Sequence, residues 1–111
     1  MKNKKPKDLI ECVKILLKEE GIEEFKNKDP IEYHHSTGRS IRNDWGLWDS
    51  KSNLHKFFNS IGIYHADDMS GIILDTVHRI INGIPVDLDG QVKHYEDYWK
   101  DAGCDMKGNK L

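Results

Sequence analysis

The feature that most constrains the fold of this chain is a wide apolar face in one segment, residues 67–82. The apolar residues of this segment recur at helical spacing and cover an arc of roughly 180°, taking about 100° per residue. They are Met69, Ile72, Ile73, Val77, Ile80 and Ile81. A surface helix normally buries a narrower stripe against one neighbour. The sequence therefore predicts a central helix over residues 67–82.

Apolar spacing near 3.6 residues also explains most of the remaining chain, whereas alternation with a period of two explains almost none of it. Capping residues, glycine and proline place the ends of four further helices. These cover residues 8–20, Pro30 to about Asp44, a short segment around Leu54 to Phe58 that ends at Gly62, and a last helix between Asp87 and Gly103. With 111 residues, the chain has room for one core only. We predict an all-α fold, a compact single-domain bundle of about five helices.

The predicted organisation has three parts: a disordered basic N-terminus (1–7), the helical domain (8–103) and a frayed C-terminal tail (104–111). The 17 basic and 19 acidic residues nearly balance, which excludes a histone-like protein and does not favour a nucleic-acid partner. No apolar run approaches the roughly 20 residues of a membrane span. Cys12 and Cys104 form no disulfide framework, and the start does not resemble a signal peptide. We therefore expect a cytoplasmic protein without a membrane partner.

Arginine is concentrated in the central segment of the chain. Only three of the 17 basic residues are arginine, and five of the six histidines lie in the same segment. Because a guanidinium makes planar bidentate contacts that lysine cannot make, the arginine positions are informative. On the helix predicted from Pro30, His35, Arg39 and Arg42 fall within about 60° of one another, which predicts an anion cradle. The candidate ligand-binding residues are His35, Arg39, Arg42, Asn43, Trp45 and Trp48.

Structural roles compete with this interpretation of the cluster. Arg42 can instead form an ion pair with Asp67 or Asp68, two residues that also suit the start of a helix. Trp45 and Trp48 can stack on a base or a peptide side chain, or they can plug the core where the helix ends. The sequence leaves these alternatives open.

Catalytic and metal-binding roles have weaker support. A small phosphate-directed enzyme would use His34 or His35 as general base and Arg39 or Arg42 to stabilise an oxyanion. No decisive catalytic motif accompanies these residues. Adjacent histidines on a helix project about 100° apart, so His34 and His35 do not predict a zinc site. His34 fits a hydrogen-bonded core histidine better, and we expect neither a metal nor another cofactor.

The same segment resembles a known family of small bacterial domains. Residues 34–48 read HHSTGRSIRNDWGLW and residues 65–70 read HADDMS. They are similar to the patterns HH-x-x-G-x-x-(I/M)-R-N-x-W-G-L-W and H-P-D-D-M-S of that family, with Ala66 in place of proline and Asp44 where asparagine is common. The resemblance covers about residues 30–99, including Tyr98 and Trp99. It implies a small domain of unknown function and brings no activity with it.

Two functions account for the cluster of histidine, arginine and tryptophan residues. The first is a non-enzymatic module that binds an anionic ligand, such as a nucleotide or a phosphorylated metabolite, with a pocket that subunits of a homo-oligomer can share. The second is a protein-interaction domain, for instance an inhibitor or an immunity-like protein, in which the same residues form an interface hot spot. An Arg42 guanidinium enclosed by protein groups would favour the second function.

Overall fold

The computed structural model describes residues 5–19, 22–27, 30–33 and 36–111. In these ranges the chain forms five α-helices, two short 3₁₀-helices and no strand. The α-helices are α1 (Leu9–Leu17), α2 (Thr37–Asp44), α3 (Asn53–Ser60), α4 (Ala66–Ile81) and α5 (Leu88–Asp101), and the 3₁₀-helices are Ile22–Asn27 and Pro30–Tyr33. The predicted all-α class is confirmed. No helix in the described ranges has both the length and the apolar character that crossing a membrane requires.

Helix α4 lies at the centre of the fold, as its apolar pattern predicts. Met69, Ile72, Ile73 and Val77 are completely buried on it. Helices α1, α2 and α5 and both 3₁₀-helices pack against α4. Ile80, which lies in the last turn, is 39% exposed. The broad apolar face is therefore buried over most of its length and reaches solvent near the C-terminal end of the helix.

The single helix predicted from Pro30 to Asp44 is wrong at its start. Residues 30–33 form a 3₁₀-helix, and α2 begins only at Thr37. Ser36 before it has φ −99° and ψ −83°, outside helical geometry, and its side chain makes no capping hydrogen bond. The non-helical backbone of Ser36, a weak helix former, interrupts the predicted helix immediately before α2. His34 and His35 lie outside the described residues, so the predictions of a core position for His34 and a ligand-binding position for His35 are not addressed by the structure.

Helix α5 packs on α4 through polar as well as apolar contacts. Nε2 of Gln91, a buried side chain, donates hydrogen bonds to Oγ1 of Thr76 on α4 at 3.1 Å and to the carbonyl oxygen of Val86 at 2.9 Å. A Cβ atom at Gly71 of α4 would overlap the Tyr95 hydroxyl, so glycine leaves room for the Tyr95 side chain of α5. The position of α5 therefore depends on a few specific contacts.

Both ends of the described chain are held by local contacts. Pro6 is buried beside α1. After α5, Oδ1 of Asp105 accepts hydrogen bonds from the backbone N–H groups of Lys107 and Asn109, both at 2.9 Å. The backbone N–H of Leu111 donates to the carbonyl oxygen of Gly103 at 3.0 Å. Residues 104–111 thus form a closed turn. The predicted fraying of this tail concerns its motion and stays a prediction.

Candidate functional site

Arg42 of α2 is buried against the first turns of α4. Its side chain is 9% exposed, and its Nε lies 3.3 Å from Oδ1 of Asp67. Its Nη1 donates a hydrogen bond to Oγ of Ser70 at 2.9 Å. Gly38 makes room for the guanidinium, because a Cβ atom there would lie 3.1 Å from Nη1. Of the two carboxylates that the sequence offers to Arg42, Asp67 is the partner.

Asp68 faces α5 instead. Its Oδ2 accepts a hydrogen bond from Nε1 of Trp99 at 2.8 Å. The residue is only 8% exposed. Burial raises the pKa of the Asp68 carboxyl, and the hydrogen bond from Trp99 opposes this effect. The two adjacent aspartates therefore contact different helices: Asp67 forms an ion pair with Arg42 of α2, and Asp68 accepts a hydrogen bond from Trp99 of α5.

Beside these carboxylates, four aromatic rings form a continuous series, which we call the aromatic row. Trp48 contacts His65 edge to face, with ring centroids 6.2 Å apart. His65 contacts Trp99 at 5.9 Å, and Trp99 contacts Tyr98 edge to face at 5.4 Å. Trp48 is 60% exposed and Tyr98 is 59% exposed, so both ends of the row face solvent.

The inner members of the row are fixed by hydrogen bonds. His65 is the N-cap of α4, and its Nδ1 accepts a hydrogen bond from the backbone N–H of Asp67 at 3.1 Å. The acceptor role of Nδ1 places the proton of a neutral imidazole on Nε2. Trp99 is held through its bond to Asp68. The row is therefore built on the start of α4 and on α5.

The run from Trp45 to Trp48 shows how the sequence turns one tryptophan inward and the next outward. Trp45 ends α2 and is 1% exposed, and Leu47 is completely buried as well. Trp48, the next residue, is 60% exposed. Gly46, between Trp45 and Leu47, has φ +71°, which glycine adopts without strain. The carbonyl oxygen of Leu47 lies 2.8 Å from Nδ1 of His55, which fixes the loop. Trp48 is thus exposed on an ordered backbone.

The described residues predicted to form one ligand site differ in exposure. Arg39, Asn43 and Trp48 are exposed, and Arg42 and Trp45 are buried. Trp45 lies in the core, as the plugging alternative describes, and Trp48 does not. His35 lies outside the described residues, so the cradle of His35, Arg39 and Arg42 stays a prediction.

Sequence reasoning missed the aromatic row as a surface. His65 entered the sequence analysis only through the second motif, and Asp68 entered it as a helix-start residue and a candidate partner of Arg42. The Trp99 bond joins residues 31 positions apart, a separation that no local spacing rule covers. The described ranges contain no group of three or more histidine, cysteine, aspartate or glutamate side chains that could hold a metal ion.

Comparison with known protein families identifies a family for this chain. The profile of a domain of unknown function, DUF6794, matches residues 5–80. The matched range contains α1 to α3, nearly all of α4, and therefore Arg42, Trp48, His65 and Asp68. No curated protein and no solved structure matches the chain. Since the match covers well over half of its residues, the chain belongs to the DUF6794 family, a family defined by a domain of unknown function.

Proposed function

We propose that this protein is a small non-enzymatic interaction module that binds another protein through the aromatic row. The observation that carries the proposal is the exposure of Trp48 and Tyr98, 60% and 59%, at the two ends of one series of touching rings. Tryptophan and tyrosine are among the residues most enriched in interface hot spots. Covering such rings removes a large apolar area from water and so favours association.

The way the row is held supports the same function. Trp99 is bonded to Asp68, and His65 is bonded to the first turn of α4. Aromatic side chains have few rotatable bonds, and rings already fixed by neighbours lose little conformational freedom when a partner binds. Trp48 and Tyr98 each pack against one of these fixed rings, which suits them to act as anchors.

The surroundings of Arg42 favour this function over an anion cradle at the same residues. Its guanidinium is nearly enclosed, with Ser70 and Asp67 as partners. An anionic ligand would have to displace Asp67 and reach a side chain that is 9% exposed. Arg42 therefore supports the start of α4, on which the row is built, and Arg39 and Asn43 remain exposed on α2.

The test compares Trp48→Ala and Tyr98→Ala with Ile10→Ala, which removes a hydrophobic residue of α1 that is 66% exposed and lies outside the row. A partner isolated with the wild-type protein is purified, and its affinity for each variant is measured by calorimetry. We expect each substitution in the row to weaken binding about tenfold or more, roughly 1.4 kcal/mol, with unchanged melting temperatures. Ile10→Ala should bind like the wild type. Equal affinity for all four proteins would contradict the proposal.

A further inference from the structure

The closed turn after α5, residues 104–111, packs beside an inner ring of the aromatic row. A Cβ atom at Gly108 would lie 4.0 Å from Cζ3 of Trp99, so the backbone of the turn passes close to the Trp99 ring. Nζ of Lys107 lies 5.2 Å from the centroid of the Tyr64 ring. Both rings are partly buried. The turn therefore limits access to Trp99 and Tyr64.

The hydrogen bonds of this turn hold it to itself and not to the rest of the domain. An antiparallel bridge pairs Cys104 with Lys110. In the described part of the chain, no hydrogen bond joins residues 105–111 to a residue before Gly103. Moving the turn away from the domain therefore costs none of its hydrogen bonds, and the turn can move as one unit.

Gly103 lies where such a movement would pivot. It follows the end of α5 by two residues and has φ +78°, which glycine adopts without strain. A Cβ atom at Gly103 would meet nothing within 4 Å, so this side of the backbone is open.

Side-chain contacts keep the turn closed. Met106 is partly buried and packs against the hydrophobic core. The ammonium group of Lys107, an exposed residue, makes a cation–π contact with Tyr64, and such contacts are weak where water reaches the cation. The closed position therefore depends on a few contacts that a competing surface can replace.

We propose that residues 104–111 form an autoinhibitory strap, which covers Trp99 and Tyr64 and moves aside when a partner binds the aromatic row. This inference rests on the proposed function. Moving the strap adds tryptophan and tyrosine surface to the row, and both residue types are enriched in interface hot spots. A protein whose binding-competent state is only partly populated binds with an affinity reduced by that fraction. The strap therefore sets how tightly the row binds.

The first test needs no partner and measures the accessibility of Trp99. The full-length chain carries Trp48→Phe, so its two remaining tryptophans are Trp99 and the nearly inaccessible Trp45, and acrylamide quenching of fluorescence reports Trp99. Adding Met106→Asn and Lys107→Ala, which remove the contacts that close the strap, should raise the quenching constant. The helical circular dichroism signal should stay, because both substitutions lie after α5. Unchanged quenching in a folded protein would overturn the proposal.

The second test measures, by calorimetry, the affinity of the partner isolated with the wild-type protein. Met106→Asn combined with Lys107→Ala should tighten binding about tenfold, as expected if the open state makes up about a tenth of the free wild-type protein. Lys107→Ala alone should tighten it about threefold, the effect of one exposed cation–π contact. Lys110→Ala is the matched control, because Lys110 is an exposed lysine of the same turn, and it should bind like the wild type.

The outcomes separate the strap from the interaction function itself. Equal or weaker binding by the double variant, with weaker binding by Trp48→Ala, would keep the interaction function and overturn the strap. Equal tightening by Lys107→Ala and Lys110→Ala would also overturn it, because loss of positive charge alone would then explain the effect. Unchanged binding by both Trp48→Ala and Tyr98→Ala would instead contradict the proposed function, and the regulatory role would fall with it.

Discussion

The two ends of α4 each carry an arginine–aspartate pair, and the two pairs differ in what they join. At the C-terminal end, Nε of Arg79 lies 2.8 Å from Oδ2 of Asp75, four residues earlier on the same helix, and both side chains are about a third exposed. At the N-terminal end, Arg42 reaches Asp67 from α2 across a longer distance, 3.3 Å, and the Arg42 side chain is 9% exposed whereas that of Asp67 is 46% exposed. The shorter contact joins residues that the helix already holds together. The longer contact joins two helices.

The difference teaches that burial and topology, more than distance, decide what an ion pair contributes. An exposed pair is screened by water, and typical values lie below about 1 kcal/mol. Removing the partner of a buried charge costs more, and Arg42 is the buried member of the pair at the N-terminal end. The N-terminal end of α4 also carries the aromatic row, so its rigidity bears on the proposed function.

The largest expected effect comes from the middle of α4, which both ends depend on. Ile73 is completely buried. Ile73→Asp places an unpaired carboxylate in the core, at a cost of several kcal/mol against a total stability of roughly 5–15 kcal/mol. We expect loss of the helical circular dichroism signal. Ile80→Asp is the control, because Ile80 is 39% exposed and its variant should stay folded. A cooperative Ile73→Asp variant with an unchanged melting temperature would show that α4 is not the core.

The next largest expected effect is the loss of stability when one of the two arginines, Arg42 or Arg79, is replaced. Arg42→Ala should lower the free energy of unfolding by about 2 kcal/mol, because it removes a buried group that contacts Ser70 and Asp67. Arg79→Ala, at the exposed end, should lower it by less than about 1 kcal/mol. Urea denaturation measures both values. Asp67→Asn should reproduce part of the Arg42→Ala loss, and the double variant should lose less than the two single losses combined. Equal losses for the two arginines would remove the distinction between the ends.

A smaller effect tests the bond that anchors α5. Trp99→Phe keeps an aromatic ring beside His65 and removes the N–H that Asp68 accepts. We expect a loss of about 1.5 kcal/mol in urea denaturation, because the lost hydrogen bond has a charged acceptor. Faster amide hydrogen exchange should appear in α5 and not in α1. Unchanged exchange in α5 would show that the apolar contacts of this helix suffice to hold it.

Local patterns in the sequence predict what lies within one helix. Asp75 and Arg79 are four residues apart, so their pairing follows from helix geometry alone. The apolar arc of α4 likewise predicts its central position. The predicted start of this helix at Pro30 was wrong, because a capping pattern at Pro30 does not determine the backbone at Ser36, which is non-helical.

Contacts between helices depend on how the elements pack. The sequence narrows the partner of Arg42 to two aspartates, but only packing places Asp67 on the side of α2 and Asp68 on the side of α5. The exposure of Trp48 depends in the same way on the turn at Gly46, since Trp45 of the same motif is buried. Local spacing rules therefore identify which residues act at the N-terminal end of α4, but they do not predict which of these residues contact one another.

The smallest expected effect at pH 7 is that of Asp68→Asn, and it sharpens the contrast with Asp67. The amide oxygen of asparagine still accepts from Trp99, and the substitution removes a charge whose burial is unfavourable. The free energy of unfolding near pH 7 should therefore be unchanged or slightly higher, whereas Asp67→Asn lowers it.

The pH dependence of stability separates the two aspartates further. Because the folded state raises the pKa of Asp68 above the unfolded value, the folded protein holds this proton more tightly than the unfolded chain does. The stabilisation linked to this proton is complete below the unfolded pKa of about 3.9 and is lost as the pH rises through the folded pKa. Asp68→Asn should remove that decline, and urea denaturation of both proteins from acidic to neutral pH measures it. An identical pH profile in the variant would mean that Asp68 titrates as an exposed carboxylate, and the buried end of α4 would then resemble the exposed one.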